Sequence, residues 1–200
     1  RFEDDVKRAR SAIEDASGVA VRGYRAPSYS ITRRSLWALE ILARLGFAFD
    51  SSIFPIRHPR YGIPGFAREP LVLELESGAE IREFPLTTWK LGPVSLPLAG
   101  GAYLRFLPPA LFRLGVRSLA RAGRPTVLYV HPWEVDPGQP RQPVAWPVRV
   151  NHYHNLARVE SRLARLLEQH RFQPMGTALD QLASQGRLPI TALSEAVQAA

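Results

Sequence analysis

The 200-residue sequence has no cysteine, a single methionine and no long hydrophobic run. Without cysteine there are no disulfide bonds, thiolate metal ligands or cysteine nucleophiles, and any metal site would need histidine and carboxylate ligands. The longest uncharged stretch, residues 91–104, is interrupted by five Gly and Pro residues. No segment therefore reaches the roughly 20 apolar residues that a membrane-spanning helix needs.

The first residues also lack features of a natural start. Residues 1–5 are mostly charged, and the sequence has no initiator methionine and no basic or apolar region of a secretory signal at this end. We expect that the chain begins within a longer protein.

Composition and charge narrow the class of protein. With 46% hydrophobic and 22% charged residues, the chain has enough apolar material to bury a globular core. The excess of 26 Lys and Arg over 18 Asp and Glu gives a net charge of +8, which suggests nucleic acid, an anionic lipid surface or an acidic polysaccharide as partner. Because the basic residues are scattered along the chain, solvated surfaces are the simpler interpretation. Nucleic acid is disfavoured because no helix combines arginines with base-reading residues and no aromatic-basic sheet motif occurs.

Apolar spacing predicts helices that alternate with strands, which is typical of an α/β fold with parallel pairing. Helices are predicted over 2–17, from Thr32 to 45, over 109–122, and around 156–167 and 179–182. Strands are predicted over 19–24, 47–49, 71–75, 81–84 and 126–130, the last one buried on both faces. Four prolines in residues 136–150 predict a connector without helix. We therefore divide the chain into 1–135, a connector with a helical extension over 136–185, and a flexible tail over 186–200.

Three polar residues follow predicted strands, where α/β proteins bind ligands. Arg25 could hold a carboxylate bidentately, or cover a strand edge with its packed stem. Asp50 could accept the ring proton of a histidine, or cap a turn. His131 could donate a proton to a leaving group, since imidazole has an ordinary pKa of about 6.5, or be structural.

The other four histidines, His58, His152, His154 and His170, have no companion carboxylate at the spacing of metal ligands. We therefore predict no metal ligands within this chain.

Several motifs resemble those of one family. Arg25-Ala26-Pro27-Ser28, Phe49-Asp50-Ser51-Ser52 and His131-Pro132-Trp133-Glu134 resemble the later motifs of the polysaccharide deacetylases, the NodB-homology family or carbohydrate esterase family four. Residues 84–89, 100–103 and 151–175 are similar to the subgroup found with exosortase-linked exopolysaccharide loci. The resemblance covers residues 1–176.

The resemblance implies an incomplete distorted (β/α) barrel with a C-terminal helical extension. It also implies a hydrolase that acts on carbon–nitrogen bonds other than peptide bonds and removes acetyl groups from N-acetylated sugars of an exopolysaccharide. In that family a divalent metal, usually zinc, polarises the acetyl carbonyl for attack by water. His131 would protonate the leaving amine, Asp50 would tune His131, and Arg25 would hold the Asp that acts as base. The Ser28 backbone amide would stabilise the oxyanion. Candidate sugar-stacking rings, for which core packing is the alternative, are Tyr29, Trp89, Tyr103 and Trp133.

The family's first two motifs, which supply the base Asp, a metal-binding Asp and a metal-binding His pair, have no counterpart in this sequence. We therefore expect the chain to carry the acid half of the site without the metal half and to be inactive alone. Its partner would be a polysaccharide or oligosaccharide in the bacterial cytoplasm or periplasm. The alternative is a non-catalytic glycan-binding or scaffold module whose aromatic rings and basic surface hold an acidic polymer.

Overall fold

The computed structural model describes residues 1–198, which form two compact units. The first unit contains Arg1–Leu86 and the described residues from Pro174 onward, and the second contains Thr87–Gln173. This division differs from the predicted one at residue 135. The reason is that residues 87–135 share a hydrophobic core with the extension, in which Trp89 and Phe112 cluster with Val159 and Leu166.

Helices and strands alternate through much of the described chain. The helices are α1 (Phe2–Ser17), α2 (Trp37–Arg44), α3 (Gly101–Phe106), α4 (Pro109–Arg121), α5 (Trp146–Tyr153), α6 (Val159–Gln169), α7 (Met175–Ser184) and α8 (Leu193–Ala196). The strands are β1 (Gly23–Tyr24), β2 (Phe49–Asp50), β3 (Leu71–Glu74), β4 (Glu80–Glu83), β5 (Thr88–Leu91), β6 (Val94–Pro97) and β7 (Ile190–Ala192).

The first unit is built on a mostly parallel five-stranded sheet in the order β1-β2-β4-β3-β7. Parallel pairs are β1 with β2, β2 with β4 and β3 with β7, while β3 and β4 form an antiparallel pair. The predicted mixed α/β class with parallel pairing is confirmed. Buried apolar side chains of the unit, each of which contributes roughly 1.5–3 kcal/mol, include Leu39, Leu42, Phe47, Ile53, Leu73 and Ile81.

The predicted flexible tail is ordered in its described part. Ile190–Ala192 forms β7, which pairs with Val72–Glu74 of β3, and Leu193–Ala196 forms α8. Leu193 and Ala196 are buried in the core of the first unit. The pairing with β3 gives these short segments a structure that their own sequence does not specify. Residues 199–200 of the predicted tail lie outside the described residues.

Helix α1 has the predicted bounds for identifiable local reasons. Glu3, Asp4 and Asp5 lie in its first turn, where carboxylates interact favourably with the helix dipole. Gly18 ends the helix with a positive φ of 67° and donates its N–H to the carbonyl of Glu14.

The second unit contains the antiparallel β5–β6 hairpin and the helices α3 to α6. The predicted strand over residues 126–130 is reduced to a single bridge between Tyr129 and Gly100, and its residues are at most half-buried. The predicted helix-free connector contains the start of α5, because Pro147 fits the first turn of a helix. No helix within residues 1–198 is long and apolar enough to cross a membrane.

Candidate functional site

The motifs after β1 and β2 come together at one edge of the sheet. The register pairs Tyr24 with Asp50, so Arg25 and Ser51 follow the two strands side by side. Arg25 Nε donates to the Ser51 carbonyl oxygen at 2.8 Å, and Arg25 Nη2 donates to Ser51 Oγ at 2.7 Å. The guanidinium is thereby fixed next to Asp50. Burial raises the pKa of that carboxyl, and the positive charge of Arg25 only partly opposes this increase.

Asp50 forms a buried carboxyl pair with Glu83, its register partner on β4. The Asp50 side chain accepts the Ser52 hydroxyl at 2.7 Å and the Ser52 backbone N–H at 2.8 Å, and Glu83 accepts the Ile53 backbone N–H at 3.2 Å. Burial raises the pKa of both carboxyls, and the charge of Asp50 raises the pKa of Glu83 further. The pair therefore retains a proton at pH values above the ordinary pKa range of a carboxyl group.

Ser28 and Tyr29 lie in a tight 3-10 turn after β1. Both have positive φ values, 55° and 54°, which non-glycine residues adopt rarely and which occur at binding and catalytic turns. Ser28 is exposed, whereas the half-buried Tyr29 ring packs edge-on against Phe54 and Tyr61, each at 5.8 Å between ring centroids. The predicted roles of Ser28 and Tyr29 stay predictions.

His131 belongs to the second unit, and its side chain contacts a carboxylate there. A 3-10 turn over Pro132–Val135 brings Glu134 back onto His131. Glu134 Oε2 accepts the His131 backbone N–H at 3.0 Å and lies 3.2 Å from ring atom Nδ1. The His131 side chain is 55% exposed and Glu134 only 1%. A buried carboxylate thus fixes one ring nitrogen, while the ring as a whole remains accessible.

Arg105 on α3 holds the other side of the Glu134 carboxylate. Its Nε donates to Glu134 Oε1 at 3.0 Å, and both side chains are almost fully buried. Arg105 Nη1 also donates to the carbonyls of Asn151, His152 and His154, at 2.9, 3.0 and 3.3 Å. Such a pair is stable only when its remaining polar atoms are bonded, and the carbonyls at the end of α5 supply those bonds.

Trp133 lies in a stack of rings next to His131. Its ring stacks on His152 at 4.0 Å and more loosely on His131 at 5.8 Å, and the Arg105 guanidinium lies 5.0 Å from the ring centroid. His152 Nε2 contacts Gln139 Oε1 at 3.0 Å. The Trp133 ring is therefore half-buried between two histidine rings and the Arg105 guanidinium, and its predicted stacking on a sugar stays a prediction.

Two of the predicted sugar-stacking rings lie in or against the core of the second unit. Trp89 is 7% exposed and packs within the same cluster as Leu98 and Phe112, which is the core-packing alternative, and its stacking on a sugar stays a prediction. Tyr103 on α3 is half-buried and packs against this cluster. Bulky rings fill a helical core effectively, and spacing alone does not separate that use from ligand stacking.

The described residues do not fit the zinc that the resemblance implies. Zinc in proteins takes His, Cys and carboxylate ligands in close tetrahedral sets, and no group of three or more such side chains occurs within residues 1–198. The Asp50–Glu83 pair has no histidine beside it, and Trp133 lies between His131 and His152. We therefore derive no chemical step through a metal.

Three residues of these arrangements were missed at the level of sequence. Glu83 follows the alternation of a strand, and its pairing with Asp50 depends on the β2–β4 register. Arg105 and Glu134 are 29 residues apart in the chain. A signal for Glu134 was present, because a Glu three residues after an N-cap residue can accept the backbone N–H of that residue in a capping box.

A comparison with models of protein families matches a large part of the chain. A family model described as a domain of unknown function, DUF3473, matches residues 51–180. This range contains Glu83, Arg105, His131 and Glu134, whereas Arg25 and Asp50 precede it. Comparisons with curated proteins and with solved structures gave no match. Because the matched range covers more than half of the chain, the chain belongs to the DUF3473 family.

Proposed function

We propose that this chain belongs to a hydrolase of the polysaccharide deacetylase type, which removes acetyl groups from N-acetylated sugars. DUF3473 is associated with polysaccharide deacetylase-like proteins, which supports the proposal. The ordered motifs at Arg25, Asp50 and His131 support it independently of the family match. The incomplete distorted (β/α) barrel belongs to the same proposal, and the mostly parallel sheet is compatible with it.

The observation that carries the proposal is the contact between His131 and Glu134. Glu134 is ion-paired with Arg105, so its carboxylate is an acceptor and the adjacent Nδ1 of His131 carries the ring hydrogen. The other ring nitrogen, Nε2, then becomes the site that gains and loses a proton. A histidine oriented in this way is suited to general acid catalysis.

Hydrolysis of an N-acetyl group adds water across the carbon–nitrogen bond and yields acetate and a protonated amine, which together contain both hydrogens of the water. As that bond breaks, its electron pair goes to nitrogen, which takes a proton from Nε2 of protonated His131. Arg25 is fixed by Ser51 beside Asp50 and would position a carboxylate, and the Ser28 amide would stabilise the oxyanion.

Acetate release from N-acetylglucosamine oligosaccharides tests the proposal. The assay uses the longest expressible form of the protein, including whatever coding sequence lies upstream of Arg1. His131→Ala should lower turnover by about 10²–10⁴-fold, the usual contribution of a general acid. His170→Ala is the matched control and should retain turnover, since His170 lies at the end of α6. Near-full turnover of His131→Ala would contradict the assignment.

A non-catalytic glycan-binding module is the second candidate. The observation that favours it is the lack of a metal-ligand group within residues 1–198, together with the half-buried Trp133 ring. Binding of the same oligosaccharides with no acetate release, and with no effect of His131→Ala on affinity, would support this candidate over the hydrolase.

A further inference from the structure

The protein's net positive charge is confined to one of its two units. The second unit, Thr87–Gln173, contains 12 Lys and Arg against 4 Asp and Glu, so it carries the whole net charge of +8. The first unit contains 14 of each and is neutral. An anionic partner is therefore expected at the second unit, which also contains His131.

Within this unit three arginines surround one pocket between α4 and α6. Arg113 of α4 and Arg162 and Arg165 of α6 line it, together with Leu104, Pro109, Phe112, Leu166 and Gln169. Among the described residues, none that lines this α4–α6 pocket has an acidic side chain. Its floor is apolar and its charged groups all have the same sign.

The protein supplies few hydrogen-bond acceptors and no paired carboxylate to the side chains of these arginines among the described residues. Arg162 Nη1 donates to the backbone carbonyls of Leu104 and Arg105, and its pKa is lowered by burial and by the charge of Arg158. Within residues 1–198, the side chain of neither Arg113 nor Arg165 forms a hydrogen bond or an ion pair. Like charges held close together repel, and a bound anion would remove that cost.

The size of the pocket limits the group that enters it. The cavity volume is about 30 Å³ and the pocket is partly open to solvent, so it accommodates one or two waters or the edge of a larger group. A fatty acyl chain does not fit, which disfavours insertion of a lipid tail. A carboxylated sugar fits better, because its apolar ring edge would face Phe112 and Leu166 while the guanidinium groups bind its carboxylate.

We infer that the α4–α6 pocket binds an anionic sugar unit, a uronate or a sugar bearing a comparable carboxylate or phosphate. The inference rests on the proposed function only for the choice of a carbohydrate. The anionic chemistry follows from the three arginines and the charge of the second unit. The pocket would retain a polysaccharide chain through charged units, whether or not those units are acetylated.

Calorimetric titration of the 200-residue chain with tetragalacturonate tests this inference. At about 0.15 M salt, tetragalacturonate should bind more tightly than the N-acetylglucosamine tetramer. The double variant Arg113→Gln/Arg165→Gln should weaken tetragalacturonate binding by about tenfold or more, since it removes charge-assisted hydrogen bonds.

The matched control is Arg117→Gln/Arg121→Gln, which removes the same charge from exposed positions of α4 that do not line the pocket. This control should change the affinity by less than about threefold. Thermal unfolding of both variants verifies that they fold.

Equal losses of affinity in the two double variants would contradict the pocket as the binding site, because binding would then depend only on the overall positive charge of the second unit. Tighter binding of a single-stranded oligonucleotide or of phosphatidylglycerol vesicles would overturn the carbohydrate assignment, as would no binding of tetragalacturonate at all. None of these readouts depends on turnover. The hydrolase proposal is tested separately by acetate release. A negative result for the pocket can therefore be distinguished from a negative result for the hydrolase.

Discussion

Gly101 faces the carboxylate of Glu134 so closely that no side chain fits between them. A β-carbon placed on Gly101 would lie 2.1 Å from Glu134 Oε2 and 2.5 Å from Oε1. Glu134 is buried and held by Arg105, so it has no room to move away. The glycine at the start of α3 therefore allows the carboxylate that contacts His131 to reach its position.

We expect Gly101→Ala to destabilise the protein and to disturb His131. Overpacking of a filled interior costs about 1–3 kcal/mol, and here the displaced atoms belong to a buried ion pair. The free energy of unfolding, measured by urea denaturation, should fall by this amount. Gly138→Ala is the control, since its β-carbon would meet only Asp136 Oδ1 at an ordinary 3.5 Å. A Gly101→Ala protein as stable as Gly138→Ala would contradict the packing argument.

Because of the Asp50–Glu83 pair, we expect the free energy of unfolding to fall as the pH rises above about 4.5. Burial and the charge of Asp50 raise the pKa of Glu83 well above its ordinary 4.5 in the folded protein. Between the two values the folded state keeps a proton that the unfolded state releases. The free energy of unfolding therefore decreases with pH, with a slope of at most about 1.4 kcal/mol per pH unit for this one proton.

Glu83→Gln should remove this part of the pH dependence, because glutamine does not ionise. Urea denaturation at several pH values between 4 and 8 gives the slope for each protein. Glu80→Gln, at an exposed position of the same strand, is the control and should keep the slope of the unaltered chain. If Glu83→Gln and Glu80→Gln gave the same slope, the proton would not belong to Glu83.

Helices and turns whose ends depend on nearby residues could be predicted from the sequence. Helix α1 has its predicted bounds because acidic residues start it and Gly18 ends it. The β3–β4 hairpin follows from alternation around Gly78, which has the positive φ that its turn needs. Strand β7 was missed because only its pairing with β3 distinguishes three residues near the end of the chain from a loop.

The candidate site was predictable in its motifs but not in its partners. Arg25 follows β1 and Asp50 ends β2, as their positions after predicted strands indicated, but the parallel pairing that brings the two ends to one sheet edge is seen only in the structure. The carboxylate beside His131 was expected to be Asp50, whereas the described contact is with Glu134, and the role of Asp50 toward His131 stays a prediction. Spacing along the chain does not show that α3 brings Arg105 onto Glu134 or that Trp89 lies in a core.

The proton position on His131 provides a direct test of the arrangement that the proposed chemistry needs. A carboxylate that is ion-paired with Arg105 accepts hydrogen bonds, so neutral His131 should carry its hydrogen on Nδ1. Nitrogen chemical shifts of the labelled imidazole, recorded above pH 8, distinguish this tautomer from the Nε2–H form. We expect the Nδ1–H form to dominate in the unaltered chain.

Glu134→Ala should shift the tautomer of His131 toward the Nε2–H form, because the acceptor at Nδ1 is lost. The variant also leaves Arg105 buried without its anion, which costs about 3–5 kcal/mol when a buried pair is broken. The double variant Glu134→Ala/Arg105→Met therefore accompanies it and keeps the test valid if the single variant fails to fold. Asp136→Ala, an exposed carboxylate two residues further on, is the control and should leave the tautomer unchanged. A dominant Nε2–H form in the unaltered chain would show that Glu134 does not orient the ring of His131.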